Sequence, residues 1–490
     1  MYQIVLTTQN ARYIHSSLAL RCLKANLAEL AEQARILEFT IKDRPLETAE
    51  KILAHNPEIL GLGVYIWNAD VATQLVRVLK RLRPGLVIVL GGPEVSHETD
   101  EQEIVKLADY VVAGEGEIAF AGLAREILSG NMPQETIIKA SVPDLENIIL
   151  PYDHYTEEDI AHRMIYLEAS RGCPFRCDFC LSSLDRKVRR FDSRNILLEI
   201  TKLFDRGVRH FRFVDRSFEL GVTSAMLEFF LQHSGEGIFL HLELGPDRIK
   251  ESFRKILARF PQGTLQIEAG IQSFNSEVLY RINRTQDTEK TIENLEFLKS
   301  STKAHIHSDL IVGLPGETIE SFAEGFDRLM SVGPQEIQVG ILKKLRGTAI
   351  GRHDEEWRMV YNPIPPYEIL ANRLIDFETM TRLRRFSRYF DLVHNSGRFP
   401  LLCARLMNAS SYFNSFMAFS DWLYEKTGRT YAISPKALQK LLAQYLVEIK
   451  GLDKHEVQYC FEQDQHYSRK KSPGPKTLAE RQHRHMNNKR

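Results

Sequence analysis

The chain has 490 residues, with 64 Lys and Arg balanced by 64 Asp and Glu. That length exceeds one ordinary core and predicts two or three domains, and the zero net charge removes any bulk drive toward nucleic acid. No run of about twenty apolar residues occurs, so no membrane span is expected. The first residues, MYQIVLTTQN, enter a strand pattern at once without the basic and apolar regions of a signal peptide, so a cytoplasmic location is expected.

In chain order, residues 4–8 (IVLTT) read as a strand, followed by a helix-like SLALRCLKANLAELAEQ. ILEFT, residues 59–67 (ILGLGVYIW), 86–92 (LVIVLGG) and 110–117 (YVVAGEGE) continue the alternation. Continuous β-rich runs between helices predict a doubly wound parallel sheet over residues 1–140, which binds ligands beyond its strand carboxyl ends. A Pro-containing stretch, residues 141–160, reads as a linker. A second series follows, with strands expected at 164–170, 210–218, 239–246, 265–273, 305–317 and 336–348, and helices such as ILLEITKLFDRG and DRIKESFRKILARF between them. This predicts a partial, TIM-like (β/α)6 barrel over residues 161–350. Residues 351–465 are mainly helical by pattern, as in YEILANRLIDFETMTRLRRF and PKALQKLLAQYLVEIK. Residues 466–490 form a basic tail, in which eight Lys and Arg face the single Glu480.

Six cysteines are present, and Cys173, Cys177 and Cys180 fall within eight residues in EASRGCPFRCDFCLSS, directly after the first strand of the second series. C-x3-C-x2-C places three thiolates on one tight loop, where they can hold three corners of an iron–sulfur cube. The next cysteine is more than two hundred residues on, which leaves the fourth iron open. Structural zinc needs four protein ligands, usually from two paired motifs, and a second pair is absent. The remaining Cys22, Cys403 and Cys460 read as buried hydrophobes.

This segment resembles the radical S-adenosylmethionine (SAM) superfamily. The resemblance implies a [4Fe–4S] cluster on Cys173, Cys177 and Cys180, with SAM chelated on the open iron and cleaved reductively to a 5'-deoxyadenosyl radical. It extends to Phe179, which would lie near the adenine. It also covers Asp215 in VDRSF, at the place of a SAM-amine contact, although the family's usual form there is Gly-Gly-Glu. Glu243 in LELGP, Gln272 in IEAGIQS and Gly313 in DLIVGLPGE match the later strand motifs and are implied SAM-binding positions.

The first domain lacks the extra cysteines of methylthiotransferases. It resembles the flavodoxin/Rossmann-like domain of cobalamin (B12)-binding radical SAM proteins. The pieces that match are NARYIHSSLALRCL, YIWN, GGPEVS and GEGE. They nominate Tyr13, His15, Trp67, Asn68, Gly91, Gly92, Gly114 and Gly116 for cobalamin. Proteins with a histidine ligand to cobalt carry Asp-x-His-x-x-Gly; here His15 stands without that acid or glycine, and a ligating histidine usually needs an orienting acceptor.

With both cofactors, the resemblance implies methyl transfer from methylcobalamin to an unactivated carbon. The alternatives are cobalamin-dependent radical chemistry without net methylation, such as cyclisation or rearrangement, and a non-catalytic corrinoid carrier or sensor. An electron donor of flavodoxin or ferredoxin type is the expected partner. RKVRRF (186–191) and the basic tail could meet RNA phosphates, a reading less favoured than a solvated charged face.

Overall fold

Strands β1 (Ile4–Asn10), β2 (Ala34–Thr40), β3 (Ile59–Gly63), β4 (Val87–Gly91), β5 (Tyr110–Ala113) and β6 (Ile137–Lys139) form one sheet in the order β2-β1-β3-β4-β5-β6. Every pairing is parallel. The order reverses between β1 and β3, which makes their carboxyl ends the switch point where such sheets take ligands. The computed structural model from which this is read describes residues 2–408 and 410–470. Val5, Leu60 and Leu62 face the helix Ala69–Leu82, whose Ala72, Leu75, Val76 and Leu79 follow a helical spacing. Ile4 and Leu6 face the opposite side, with Leu20 and Phe120. The helix expected over residues 17–33 is shorter, Leu18–Ala25 followed by a 3-10 segment. It breaks where the Asn26 amide turns to the backbone of Ile149, donating to its carbonyl at 3.1 Å and accepting from its N–H at 2.9 Å.

The second sheet is built from β7 (Ile165–Leu167), β10 (His210–Phe213), β11 (Phe239–Leu244), β12 (Leu265–Gln272), β13 (His305–Val312) and β14 (Glu336–Ile341). Between β7 and β10 lies a short hairpin of β8 (Ser170–Arg171) and β9 (Arg189–Arg190). The six long strands pair in chain order, all parallel, from β7 at one edge to β14 at the other. This is the expected α/β partial barrel. Its strands stop between one residue (β12) and seven residues (β14) short of the runs predicted from sequence, because the residues beyond each carboxyl end turn into loops.

Both edges of this open barrel are covered, as exposed strand edges must be. At β7 the Tyr155 hydroxyl accepts from the Tyr166 N–H and donates to its carbonyl, and the Tyr152 hydroxyl accepts from the Glu168 N–H. Residues 141–160 are therefore packed rather than loose: Leu145, Ile148, Tyr152 and Tyr155 are buried in the barrel's core. At β14 the Asn395 side chain brackets the backbone of Ile337, at 3.1 and 2.9 Å.

Beyond the barrel, β15 (Val360–Tyr361) and β16 (Ile369–Ala371) form a small antiparallel hairpin. YEILAN, expected as helix, is partly this strand; the helix begins at Phe377, capped by Asp376. The helices Phe377–Phe390, Pro400–Leu406, Tyr412–Thr427, Pro435–Glu448 and Lys454–Lys470 follow. Phe386, Phe390 and Phe413 pack with Phe326 of the barrel's last helix, and Phe416 packs on Phe386. Cys22, Cys403 and Cys460 are buried. Among the described residues no helix is long and apolar enough to cross a membrane. The basic tail lies outside the described residues from 471 onward.

Candidate functional site

The cysteine loop, residues 172–188, is closed at its base by the β8–β9 hairpin. It is drawn together by a hydrogen bond from the Cys173 N–H to the Asp185 carbonyl at 2.8 Å. Gly172, at φ +87°, allows this: a Cβ there would lie 2.4 Å from the Lys187 carbonyl oxygen. Cys173 and Cys177 are buried and Cys180 is half-buried. Burial pushes the Cys173 and Cys177 thiols up, and neighbouring thiols of the triad add to it. At Cys177 the Arg284 guanidinium opposes the rise, with its Nη1 3.7 Å from Sγ.

The three thiols thus share one electrostatic neighbourhood. Among the described residues no three His, Cys, Asp or Glu converge to hold a single metal ion. Three soft thiolate donors on one loop are the kind of ligand set that suits an iron–sulfur cluster.

Two buried carboxylates hold this loop. Asp178, between the second and third cysteines, is 1% exposed. It accepts from Asn283 at 2.9 Å and lies 2.8 Å from both Arg352 and His353. Asp215, expected at the SAM amine, is 2% exposed; its oxygens accept from the Ala169 N–H at 3.0 Å and from the Ser170 hydroxyl. Burial raises its pKa to about 6. Its place in the structure is under the loop's first strand, as a support.

The remaining SAM candidates lie around the barrel mouth. Phe179 is half-buried against the core. Glu243 points inward from β11 and pairs with Arg212 at 2.8 Å and with Arg216 at 3.4 Å. Gln272 closes β12 in a left-handed conformation, φ +74°. Gly313 has φ +90°, and a Cβ there would lie 2.7 Å from Ile369. Arg284, which sequence reasoning missed, donates to the Gly270 carbonyl as well as approaching Cys177. Glu317, in the run DLIVGLPGE but not singled out, accepts from Ser273, and burial pushes it up to about 8.

A packed barrel would fill its interior with branched apolar side chains. This one does not. Arg212 bridges Glu243 and Glu268, His241 lies 3.0 Å from Glu268, and His307 lies 3.3 Å from Asp309. All but His241 keep part of their surface accessible, so the interior is polar and partly open.

The strand ends of the first sheet face the same mouth. Arg171, at the base of the cysteine loop, pairs with Glu115 and Glu117 of the GEGE turn, both at 2.7 Å. Arg189 also holds Glu115. Beyond β4, Glu94 lies 3.0 Å from Arg346 and accepts from the Tyr367 hydroxyl at 2.6 Å, while Glu98 pairs with Arg346 at 2.9 Å. The two domains are therefore joined by ion pairs at two strand ends of the first sheet, those of β5 and β4.

The eight corrinoid candidates divide. Trp67 is 45% exposed and stacks on Tyr65 with ring centroids 4.5 Å apart, a flat apolar surface at the β3 end. Asn68, expected beside it as a ligand contact, is fully buried. Its amide accepts from the Tyr65 N–H and donates to Thr8, the Gln9 carbonyl and the Gly63 carbonyl, so it shapes the turn instead. Tyr13 donates to Glu158 and lies under Arg163, turned toward the linker. Gly92 has φ +107°, and a Cβ there would lie 2.5 Å from the Val64 carbonyl oxygen, so internal packing already requires glycine. Gly91 has no such crowding. Gly114 has φ +100°, and Gly116 precedes the helix Glu117–Leu128. The Nδ1 of His15 is 2.6 Å from the Tyr166 hydroxyl of β7.

Sequence models of known families match three consecutive parts of the chain: the B12 binding domain over residues 4–124, the radical SAM superfamily over 167–329, and a family described as "Protein of unknown function (DUF4080)" over 355–490. An uncharacterized methyltransferase of Pyrococcus horikoshii is 23% identical over 324 residues, 60% of this chain and 69% of that protein. The cobalamin-dependent radical SAM methyltransferase TokK of Streptomyces tokunonensis is 25% identical over 333 residues, 58% of this chain and 47% of TokK. The solved structure of the radical SAM methyltransferase TsrM from Kitasatospora setae superposes with a TM-score of 0.56 at 17% identity. The match covers 71% of this chain and 75% of that one, and it shows the shared fold.

Proposed function

From a chain that joins a B12-binding domain to a radical SAM barrel, we propose a cobalamin-dependent radical SAM methyltransferase acting on an unactivated carbon. When bound, the cluster, SAM and cobalamin supply reductive cleavage of SAM to a 5'-deoxyadenosyl radical and a methyl group to donate. The observation that carries the reading is the ion pairing of Arg171 with Glu115 and Glu117. It ties the strand-end turn of the B12-binding domain to the base of the cysteine loop, which supports a reading in which the two cofactors work side by side. The relatives named as methyltransferases favour methyl transfer over the alternatives.

The chain's own residues orient and shield. Cys173, Cys177 and Cys180 ligate the cluster, and Asp178 and Asp215 hold their loop. Arg284 donates toward Cys177, which favours its thiolate form. Phe179, Glu243, Gln272 and the Gly313 backbone line the SAM side. Trp67, with Tyr65 behind it, offers the corrin a flat face, and the turns at Gly91, Gly92, Gly114 and Gly116 bring backbone to its edge. His15 contacts the corrinoid while held by Tyr166. Asn68 and Tyr13 act through the turns they support. Arg212, His241, Glu268, His307 and Asp309, inward on β10 to β13, receive the substrate.

The test is anaerobic reconstitution with iron, sulfide and hydroxocobalamin, followed by metal and corrinoid quantification. About one corrinoid and about four irons per chain are expected for one cluster and one cobalamin. SAM and a strong reductant should then yield 5'-deoxyadenosine. A cluster without stable corrinoid would defeat the cobalamin-dependent mechanism. Corrinoid without any 5'-deoxyadenosine would favour a carrier. Deoxyadenosine with substrate turnover but no methylated product would favour cyclisation or rearrangement.

A further inference from the structure

At the carboxyl ends of β1 and β3 the polar neighbours of Gln9 are committed inside the fold. The Thr7 hydroxyl donates to the Leu37 carbonyl and the Thr8 hydroxyl to the Gly63 carbonyl, both at 2.7 Å. Asn10 donates to the His15 carbonyl at 3.0 Å and to Glu38 at 2.6 Å. The Asn68 amide is held by the turn after β3. Gln9 is the exception. It is 1% exposed, and neither its Oε1 nor its Nε2 has a hydrogen-bond partner among the described residues. Strand alternation puts it on the face of Val5, the face covered by the helices Pro45–Leu53 and Ala69–Leu82. An unpaired donor and acceptor there cost their desolvation, which an apolar side chain of the same shape would avoid. Packing alone therefore does not account for a carboxamide at this position.

The residue is built into the switch point of the sheet. Its own carbonyl accepts from Trp67 Nε1 at 3.2 Å and from Asn68 Nδ2 at 3.1 Å, so the backbone of Gln9 holds the exposed Trp67 ring in place. Ligands of doubly wound sheets bind at this place, and the match to the B12 binding domain spans it. A glutamine amide presents an acceptor oxygen and a donor NH2 side by side. An anionic group would meet Oε1 with like charge, and a cationic group would leave the NH2 unmatched. The group that satisfies both atoms together is another neutral carboxamide. The rim of a corrin ring carries carboxamide side chains of this kind.

We infer that Gln9 is a corrinoid-binding residue, whose side-chain amide exchanges a pair of hydrogen bonds with a carboxamide on the rim of the corrin ring. The inference rests on the cobalamin reading above. The flexible side chain turns its amide from beneath the helices to the strand end, where Trp67 lies. The desolvation penalty of the unpaired amide is relieved when the pair forms, which adds to the affinity for the corrinoid.

The full-length chain, purified anaerobically, carries the test. It is titrated with hydroxocobalamin and with aquocobinamide, which keeps the corrin ring and its rim amides but has no nucleotide tail. Bound corrinoid is read from the visible spectrum after ultrafiltration. Gln9→Met keeps the length of the side chain without its hydrogen-bonding groups, and should weaken the binding of both corrinoids by ~10-fold or more. Before corrinoid is added, the melting temperature of this variant should equal or exceed that of wild type, because the groups removed are unpaired in the fold. Wild-type affinity for both corrinoids would overturn the inference. So would a loss confined to hydroxocobalamin, which would put the contact on the nucleotide tail. A lower melting temperature before corrinoid is added would overturn it too, by showing that the amide is already satisfied inside the fold. If wild type binds neither corrinoid, the cobalamin reading itself fails, and this inference with it.

Discussion

The imidazole of His15, in the loop after β1, and the hydroxyl of Tyr166, on the first barrel strand, meet at 2.6 Å across 151 residues of sequence. His15 lacks the neighbouring acid that usually orients a histidine, and the other domain supplies a partner instead. Burial first, then the charges of Arg212 and Arg12, lowers the His15 pKa to about 4.

A histidine kept neutral in the fold opposes acid. Between about pH 6.5 and pH 4 the unfolded chain binds a proton that the folded one does not, so this residue's contribution to stability is complete above pH 6.5 and falls as pH drops to 4. His15→Gln should flatten the loss of thermal stability across that window relative to wild type. Parallel melting curves for the two proteins from pH 7 to pH 4 would show that His15 is not the group responsible.

Each of Cys173→Ala, Cys177→Ala and Cys180→Ala should abolish cluster assembly, measured as loss of the broad visible absorption and of iron after reconstitution. Corrinoid binding should persist, because its candidate contacts lie in the first domain. Loss of both cofactors together would mean that the cysteine loop also organises the corrinoid site.

His353 lies 2.8 Å from Asp178, which is buried inside the cluster motif. Removing it leaves a buried carboxylate short of one donor, at a cost of about 1–3 kcal/mol. His353→Ala should therefore lower the iron retained after desalting, and His353→Gln, which keeps a nitrogen donor, should restore part of it. Full retention in the alanine variant would assign the hold on Asp178 to Asn283 and Arg352 alone.

Arg346 pairs with Glu94, whose side chain is 4% exposed, and with Glu98, which is 45% exposed. Arg346→Ala leaves the buried Glu94 without its countercharge, held only by the Tyr367 hydroxyl, and should cost about 3–5 kcal/mol, read by chemical denaturation. Glu98→Ala removes a screened pair and should cost about 1 kcal/mol or less. Equal costs would mean that the two contacts do not differ in burial as described.

Gly92→Ala combines a φ of +107° with a Cβ 2.5 Å from the Val64 carbonyl oxygen. Strain of this kind costs about 1–3 kcal/mol before the steric overlap is counted. The variant should unfold at lower denaturant than Gly91→Ala, where the nearest atom to a Cβ is 3.7 Å away.

Much of this was legible from local pattern. The strand runs of both series, the cysteine loop and the helical end are written in apolar runs and short spacings, which neighbouring residues decide. Glu94 and Arg346, or Asp178 and His353, carry no such signal, because each pair is separated by more than 170 residues and nothing near either member announces the other. Asn68 shows the converse: a polar residue after a strand suggests a ligand contact, and only the packed turn reveals that its amide is already spent.

By itself the sequence determined the order of two parallel α/β units, the three thiolates and their spacing, because backbone periodicity and ligand reach are short-range properties. The tertiary structure alone decided which charges face inward to join the domains and which face out. It decided this because burial makes an unpaired charge costly, and the distant partners of Arg171, Arg346 and Asp178 reach them only once remote parts of the chain have been brought together.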